Sequence, residues 1–130
     1  MRTRRWIAIA AAAAAFLTPA ALAAKGPAPL EVYEARLSGR DHYNSQGVPL
    51  TTAAAIIRQD RANYHQFGLR DREDQWDSFF RTVANRARME QMLSRPGALA
   101  PNVRRRILND DPVVIVEVYA DWVRVSLKYP

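Results

Sequence analysis

The sequence predicts an α+β domain: a small antiparallel sheet, made of one N-terminal strand plus a C-terminal hairpin, packed against a helical hairpin and preceded by a signal peptide. Three observations carry this. Val113 to Tyr129 alternates, with valine repeated on one face. Leu50 to Arg95 has helical periodicity on both sides of Gly68. Glu31 to Ser38 alternates again, with Tyr33, Ala35 and Leu37 on one face and Glu34 and Arg36 on the other. The expected division is a signal peptide over 1–24, a flexible leader over 25–30 and a single α+β domain over 31–130.

Arg2, Arg4 and Arg5 make a basic start, Trp6 to Leu17 a short apolar run, and Ala21-Leu22-Ala23 a small-x-small cleavage site. The apolar run is short for a bilayer span, so cleavage after Ala23 or Ala24 is expected to leave no membrane span. The expected location is therefore periplasmic or extracellular. Thr3-Arg4-Arg5-Trp6-Ile7 resembles part of a twin-arginine export motif, but Ala8 stands where that motif prefers a larger apolar residue. An ordinary basic start is the preferred reading. Cleavage takes the basic count from nineteen to sixteen against thirteen acidic residues, and the formal charge from +6 to +3. So mild an excess argues against nucleic acid as the partner unless charge is locally concentrated. With no cysteine, packing alone must hold an exported domain together.

Lys25 to Leu30, with two prolines and a glycine, reads as the leader, and Glu31 opens the first strand. Gly39 to Pro49 is polar, with Asn44-Ser45-Gln46-Gly47 as a tight turn. It carries Asp41 and His42. Thr51 is the expected N-cap of the first helix. At about 100° per residue, Ala53, Ile56, Ile57, Tyr64 and Phe67 form one apolar stripe, with Arg58, Arg61 and His65 opposite. Asp60 falls inside the stripe. A carboxylate there must be hydrogen-bonded, paired or held neutral. The preferred reading is a buried structural anchor paired with Arg86, and a tuned catalytic acid is the alternative.

Gly68 is expected to end this helix in a left-handed conformation, with Leu69 packing back on Tyr64. Asp71 then caps a second helix whose stripe is Trp76, Phe79, Phe80, Val83 and Ala87, leaving Asp77 on the outer face. Met89 and Met92 read as core gap-fillers. Ser94 to Pro101 is a loop, and Asn102 to Leu108 a short helix bearing Arg104, Arg105 and Arg106. In the C-terminal hairpin a turn at Ala120-Asp121 pairs Val118 with Val123, Val116 with Val125 and Val114 with Leu127. The same register sets Glu117 opposite Arg124 and Tyr119 opposite Trp122.

No motif fixes a chemistry. Two histidines and no cysteine are too few for a zinc site. Asn63 and His65, two apart on a helix, point about 160° from each other, so one metal ion cannot take both. No cofactor is expected. No glycine-rich phosphate loop exists, and Ser45, near His42, lacks the glycine pattern of a nucleophile elbow. The leading functional reading is a small exported non-enzymatic module that binds a partner protein or cell-envelope component, with Tyr119, Trp122 and Arg124 as candidate contacts. The alternative is a hydrolase of an envelope or extracellular polymer using Asp41, His42 and Asp60 as an acid–base group, should the Gly39–Pro49 loop fold over the first helix. A third is a basic module that meets anionic polymer through Arg104, Arg105 and Arg106.

Overall fold

The computed structural model describes residues 26–130, so the signal peptide expected over 1–24 lies outside the described residues. The elements run β1 (Glu31–Arg36), α1 (Ala53–Ala62), α2 (Val83–Ala87), α3 (Met89–Leu93), α4 (Pro101–Asn109), β2 (Val113–Val118) and β3 (Val123–Leu127). The strands form one antiparallel sheet in the order β1-β2-β3, giving the expected mixed α+β architecture. No helix among the described residues is long and apolar enough to cross a membrane.

The hairpin register follows the valine pattern: Val114 pairs with Leu127, Val116 with Val125, Val118 with Val123, and Glu117 with Arg124. Tyr119 N–H donates to the Trp122 carbonyl at 2.9 Å and closes the two-residue turn. β1 lays Tyr33 opposite Val116 and Ala35 opposite Val114. These side chains are buried beneath Ile56, Ile57, Phe80, Met89, Met92 and Ile107 of the helical layer. Each such aliphatic side chain contributes about 1.5–3 kcal/mol over its exposed state.

α1 begins one residue later than expected, with Thr52 Oγ1 accepting from Ala55 N–H at 3.1 Å. Its last turn differs more. Asn63–Phe67 is a π turn, closed by Gly68 at φ +66° donating to the Asn63 carbonyl. A wider turn advances each residue by less than the about 100° of an α-helix. The residues after Ala62 therefore shift around the axis. Phe67, expected in the apolar stripe, is 46% exposed, and the His65 ring, expected in solvent, turns inward.

The second helix departs most from expectation. It begins at Val83, not at Asp71, with Thr82 Oγ1 accepting from Asn85 N–H. Residues 71–78 instead run along the outer edge of β1. Gln75 N–H donates to the Glu34 carbonyl, and Glu34 N–H donates back to Gln75 Oε1, each at 2.9 Å. Asp74 Oδ1 accepts from Arg36 N–H, and Asp74 Oδ2 accepts from Asp71 N–H. The Glu31 carboxylate takes the N–H groups of Ser78 and Phe79. A short carboxylate that bonds nearby backbone competes with helix formation, and the strand edge offers unpaired groups that reward the extended path. Trp76 and Val83 are left largely exposed, while Phe80 is fully buried. On the other side of the sheet, Val125 N–H donates to the Ala98 carbonyl at 2.8 Å, so the edge of β3 is covered as well.

Candidate functional site

The path of residues 71–78 builds a buried polar centre on α1. Asp60 is 2% exposed, as its place in the apolar stripe requires. Its partner is not Arg86 but its own neighbour: Arg61 Nε donates to Asp60 Oδ2 at 2.7 Å. Arg61 is fully buried, and its Nη1 donates to Asp77 Oδ1 at 2.8 Å and to the Gln75 carbonyl at 3.0 Å. Asp77 Oδ1 also lies 2.8 Å from His65 Nε2, and Asp77 Oδ2 accepts from Phe80 N–H. The Arg61 guanidinium lies over the Tyr33 ring at 4.2 Å and the Tyr64 ring at 4.6 Å. The helical wheels place Arg61, His65 and Asp77 on solvent faces. Arg61 and Asp77 are inside because residues 75–77 close over the flank of α1, and His65 because of the π turn.

Arg86 is buried too, but elsewhere. Its Nη1 donates to the carbonyls of Phe80 and Arg81, and its Nη2 to Gln66 Oε1 at 3.2 Å. The pairing with Asp60 fails because it assumed two long helices crossing at Gly68, and the second helix is short and starts late. Burial raises Asp60 well above the usual carboxylate range, outweighing the pull of Arg61. Burial lowers His65, against the opposing effect of Asp77.

Asp41 and His42 sit on a 3-10 turn, Gly39–His42, and point different ways. Asp41 is 1% exposed. It accepts from Ser38 N–H at 2.9 Å and from Asn63 Nδ2 at 2.8 Å. Asn63, whose backbone N–H donates to the Asp60 carbonyl, ties Asp41 to the same end of α1 as Asp60. His42 lies apart, with Nε2 3.7 Å from Asp111 Oδ1. No group of three or more acidic, histidine or cysteine side chains among the described residues could hold a metal ion.

Burial raises Asp41 from 3.8 to about 6, with the Asn63 hydrogen bond pulling the other way. A carboxylate whose folded pKa lies above its unfolded value favours the folded state when protonated. That contribution is lost as pH rises from the unfolded value through about 6. Asp60 and Asp74 are raised as well and act in the same sense, while the lowered His65 acts in the opposite one. Asp41→Asn is therefore expected to lose less stability than the parent between pH 4 and pH 7. Urea midpoints at the two pH values measure this, and equal losses in the two proteins would refute it.

The hairpin aromatics are engaged with their own neighbours. Tyr119 and Trp122 stack at 4.4 Å with an interplanar angle of 8°. The guanidiniums of Arg95 and Arg124 lie over the Trp122 ring at 5.2 and 5.3 Å. Tyr119 is buried and Trp122 half-buried, and Arg124 also reaches Glu117 at 3.5 Å. On α4, Arg104 and Arg105 are exposed, and Arg106 pairs with Asp110 at 3.0 Å.

The open concave surface lies on the far side of α1. One groove of about 400 Å³ is lined by Asn44, Leu50, Arg58, Gln66, Arg86 and Glu90, among others. A second, of about 410 Å³, adjoins it and is lined by Arg40, Tyr43, Asn63, Phe67 and Leu69 with others. The two share Asn44, Ser45, Gln59 and Phe67. Neither is lined by Asp41, His42, Asp60, Tyr119, Trp122 or Arg124. The turn at Asn44–Gly47 forms one wall: Asn44 Oδ1 accepts from Gln46 N–H and Val48 N–H, and Gly47 adopts φ +78°. The exposed face of α1, with small alanines at 54, 55 and 62, forms the floor. Nothing in the periodicity of α1 marks this surface, because its walls come from segments far apart in sequence. The late start of α2, which places Arg86 and Val83 on the other wall, is equally invisible there. Comparison of the chain with protein-family models, with curated proteins and with solved structures finds no match.

Proposed function

We propose that the chain is a small exported binding module, without catalytic activity of its own, that holds a partner protein of the cell envelope in the paired grooves across α1. The observation that carries this is a continuous concave surface edged by exposed apolar side chains. Tyr43, Phe67 and Leu69, all lining the second groove, are each about half exposed. Surface apolar residues gathered at a groove mark an interaction site more often than residues scattered singly. The side-chain amides of Asn44, Gln59 and Gln66 add groups that can pair with a bound peptide backbone. A hydrolase reading needs Asp41, His42 and Asp60 around one opening, whereas Asp41 and Asp60 are taken up by internal hydrogen bonds. Export rests on the basic start, the alanine-rich run and the Ala21-Leu22-Ala23 site.

Photo-crosslinking in intact cells tests both parts. With benzoylphenylalanine at Phe67 or Leu69, one discrete protein adduct is expected in the envelope fraction. The chain within it should begin at Ala24 or Lys25. The same probe at Leu108, which is 37% exposed and lines neither groove, should give no adduct. Adducts from Leu108 with none from Phe67 would overturn the groove as the binding surface, and an adduct beginning at Met1 would overturn export with cleavage.

A further inference from the structure

Arg86 is 4% exposed, yet among the described residues no carboxylate pairs with it. A buried ion without a counter-ion is costly, so folded proteins rarely keep one unless something outside the chain completes it. Its hydrogen bonds are also incomplete. Nη1 is saturated by two carbonyls. The side-on fork of Nε and Nη2 holds a single bond, to Gln66 Oε1 at 3.2 Å. Gln66 is exposed and lines the same groove, so its amide is easily displaced. Arg58 lines that groove as well and makes no ion pair among the described residues. Burial lowers the proton affinity of Arg86, the charge of Arg58 adds to this, and Asp77 acts in the opposite sense without pairing to it.

The geometry points to an anion site in the first groove, where the Nε–Nη2 fork of Arg86, backed by Arg58, takes the carboxylate of an aspartate or glutamate side chain on a peptide segment of the partner. Planar, two-pronged recognition of a carboxylate is what an arginine fork provides. A peptide fits the surroundings better than a phosphate polymer does. A polyanion needs a run of exposed cations, whereas this groove offers one exposed arginine, one buried arginine, amides and small apolar side chains. Glu90 lines the groove without pairing to either arginine and opposes an incoming anion.

This site deepens the partner-binding function and depends on it, and the tests keep the two apart. The full mature chain is titrated with acetyl-Leu-Ala-Glu-Ala-Leu-amide, with the counterpart carrying Gln in place of Glu, and with inorganic phosphate. The readout is the Arg86 Nε–Hε NMR resonance. A saturable shift is expected with the Glu peptide at least about tenfold tighter than with the Gln peptide, a difference of about 1.4 kcal/mol. Arg58→Gln should weaken the Glu peptide several-fold at unchanged melting temperature. Glu90→Gln should strengthen it. Gln66→Glu sets the chain's own carboxylate on the fork, so it should raise the melting temperature and abolish peptide binding. Because residue 66 is exposed, this variant keeps its fold. Equal binding of the two peptides, a response to phosphate alone, or unchanged peptide binding in Gln66→Glu would each overturn the carboxylate site. If the crosslink at Phe67 still forms in that event, partner binding stands and only its chemistry changes.

Discussion

Arg61→Ala is expected to remove about 3–5 kcal/mol of stability at neutral pH, the cost of stranding the partners of a buried ion pair. The expected effect lies at the upper end because one guanidinium serves both Asp60 and Asp77, and neither carboxylate can reach solvent. The side chain also fills the space between the Tyr33 and Tyr64 rings, so its removal adds lost packing to lost charge. Against a typical total of about 5–15 kcal/mol, much of the fold would be gone. Arg61→Lys should restore little, since an ammonium cannot present the planar fork that spans Nε to Asp60 and Nη1 to Asp77. Arg58→Ala, on the open face of the same helix, should stay within about 0.5 kcal/mol of the parent. Urea unfolding of the three variants decides it. An Arg61→Ala protein within 1 kcal/mol of the parent would mean that the buried centre is not what holds residues 71–78 against α1.

Asp77→Asn is expected to be the second most damaging change, at about 3 kcal/mol or more. Asp77 accepts from Arg61, from Phe80 N–H and, by its shared Oδ1, from the protonated edge of His65. An amide offers one acceptor where two are used and turns a donor toward another donor. Asp60→Asn should cost less. Burial already opposes the charge of Asp60 more than Arg61 favours it. The order Asp77→Asn worse than Asp60→Asn is the opposite of what the helical wheels suggest, since they place Asp77 outside. A thermal melt of each variant shows the order directly. For a domain of about 100 residues each kcal/mol moves the midpoint by about 4–8 °C, and somewhat less for a longer one. An Asp77→Asn midpoint at or above that of Asp60→Asn would refute the ordering.

Why one aspartate was legible and the other was not has a physical answer. Asp60 sits in an α-helical stretch where the period of the apolar residues holds, so its burial can be read from Ile56 and Ile57 alone. The valine register of β2 and β3 is legible for the same reason: a period of two admits one pairing that keeps every valine on one face. Asp77 sits in a segment whose conformation is decided by groups it meets only after folding. Trp76, Phe79, Phe80 and Val83 have helical spacing, but the backbone of Glu34 and Arg36 and the carboxylate of Glu31 offer the segment hydrogen bonds that no periodicity records. The π turn at Asn63–Phe67 is a further case. Residues on its two sides obey different periods, so Phe67 and His65 exchange places relative to any single wheel. The groove has no sequence signature, because Arg58, Gln66 and Arg86 share no sequence period and come together only through the π turn and the late start of α2.

The strap formed by residues 71–78 has a consequence for how copies of this chain meet. A three-stranded sheet has two edges, and an open edge is a template on which a second molecule can add a strand and begin a fibre. Here one edge is occupied by Asp74 and Gln75, and the other by Ala98 and Leu99. The first of these covers is held down by the Arg61–Asp77 pair. Cover of the β1 edge is thus tied to a buried ion pair, together with the more exposed Arg36–Glu73 pair at 2.7 Å. Detachment of the strap alone, with the valine core still packed, would leave the N–H and C=O groups of Glu34 and the N–H of Arg36 unpaired at that edge.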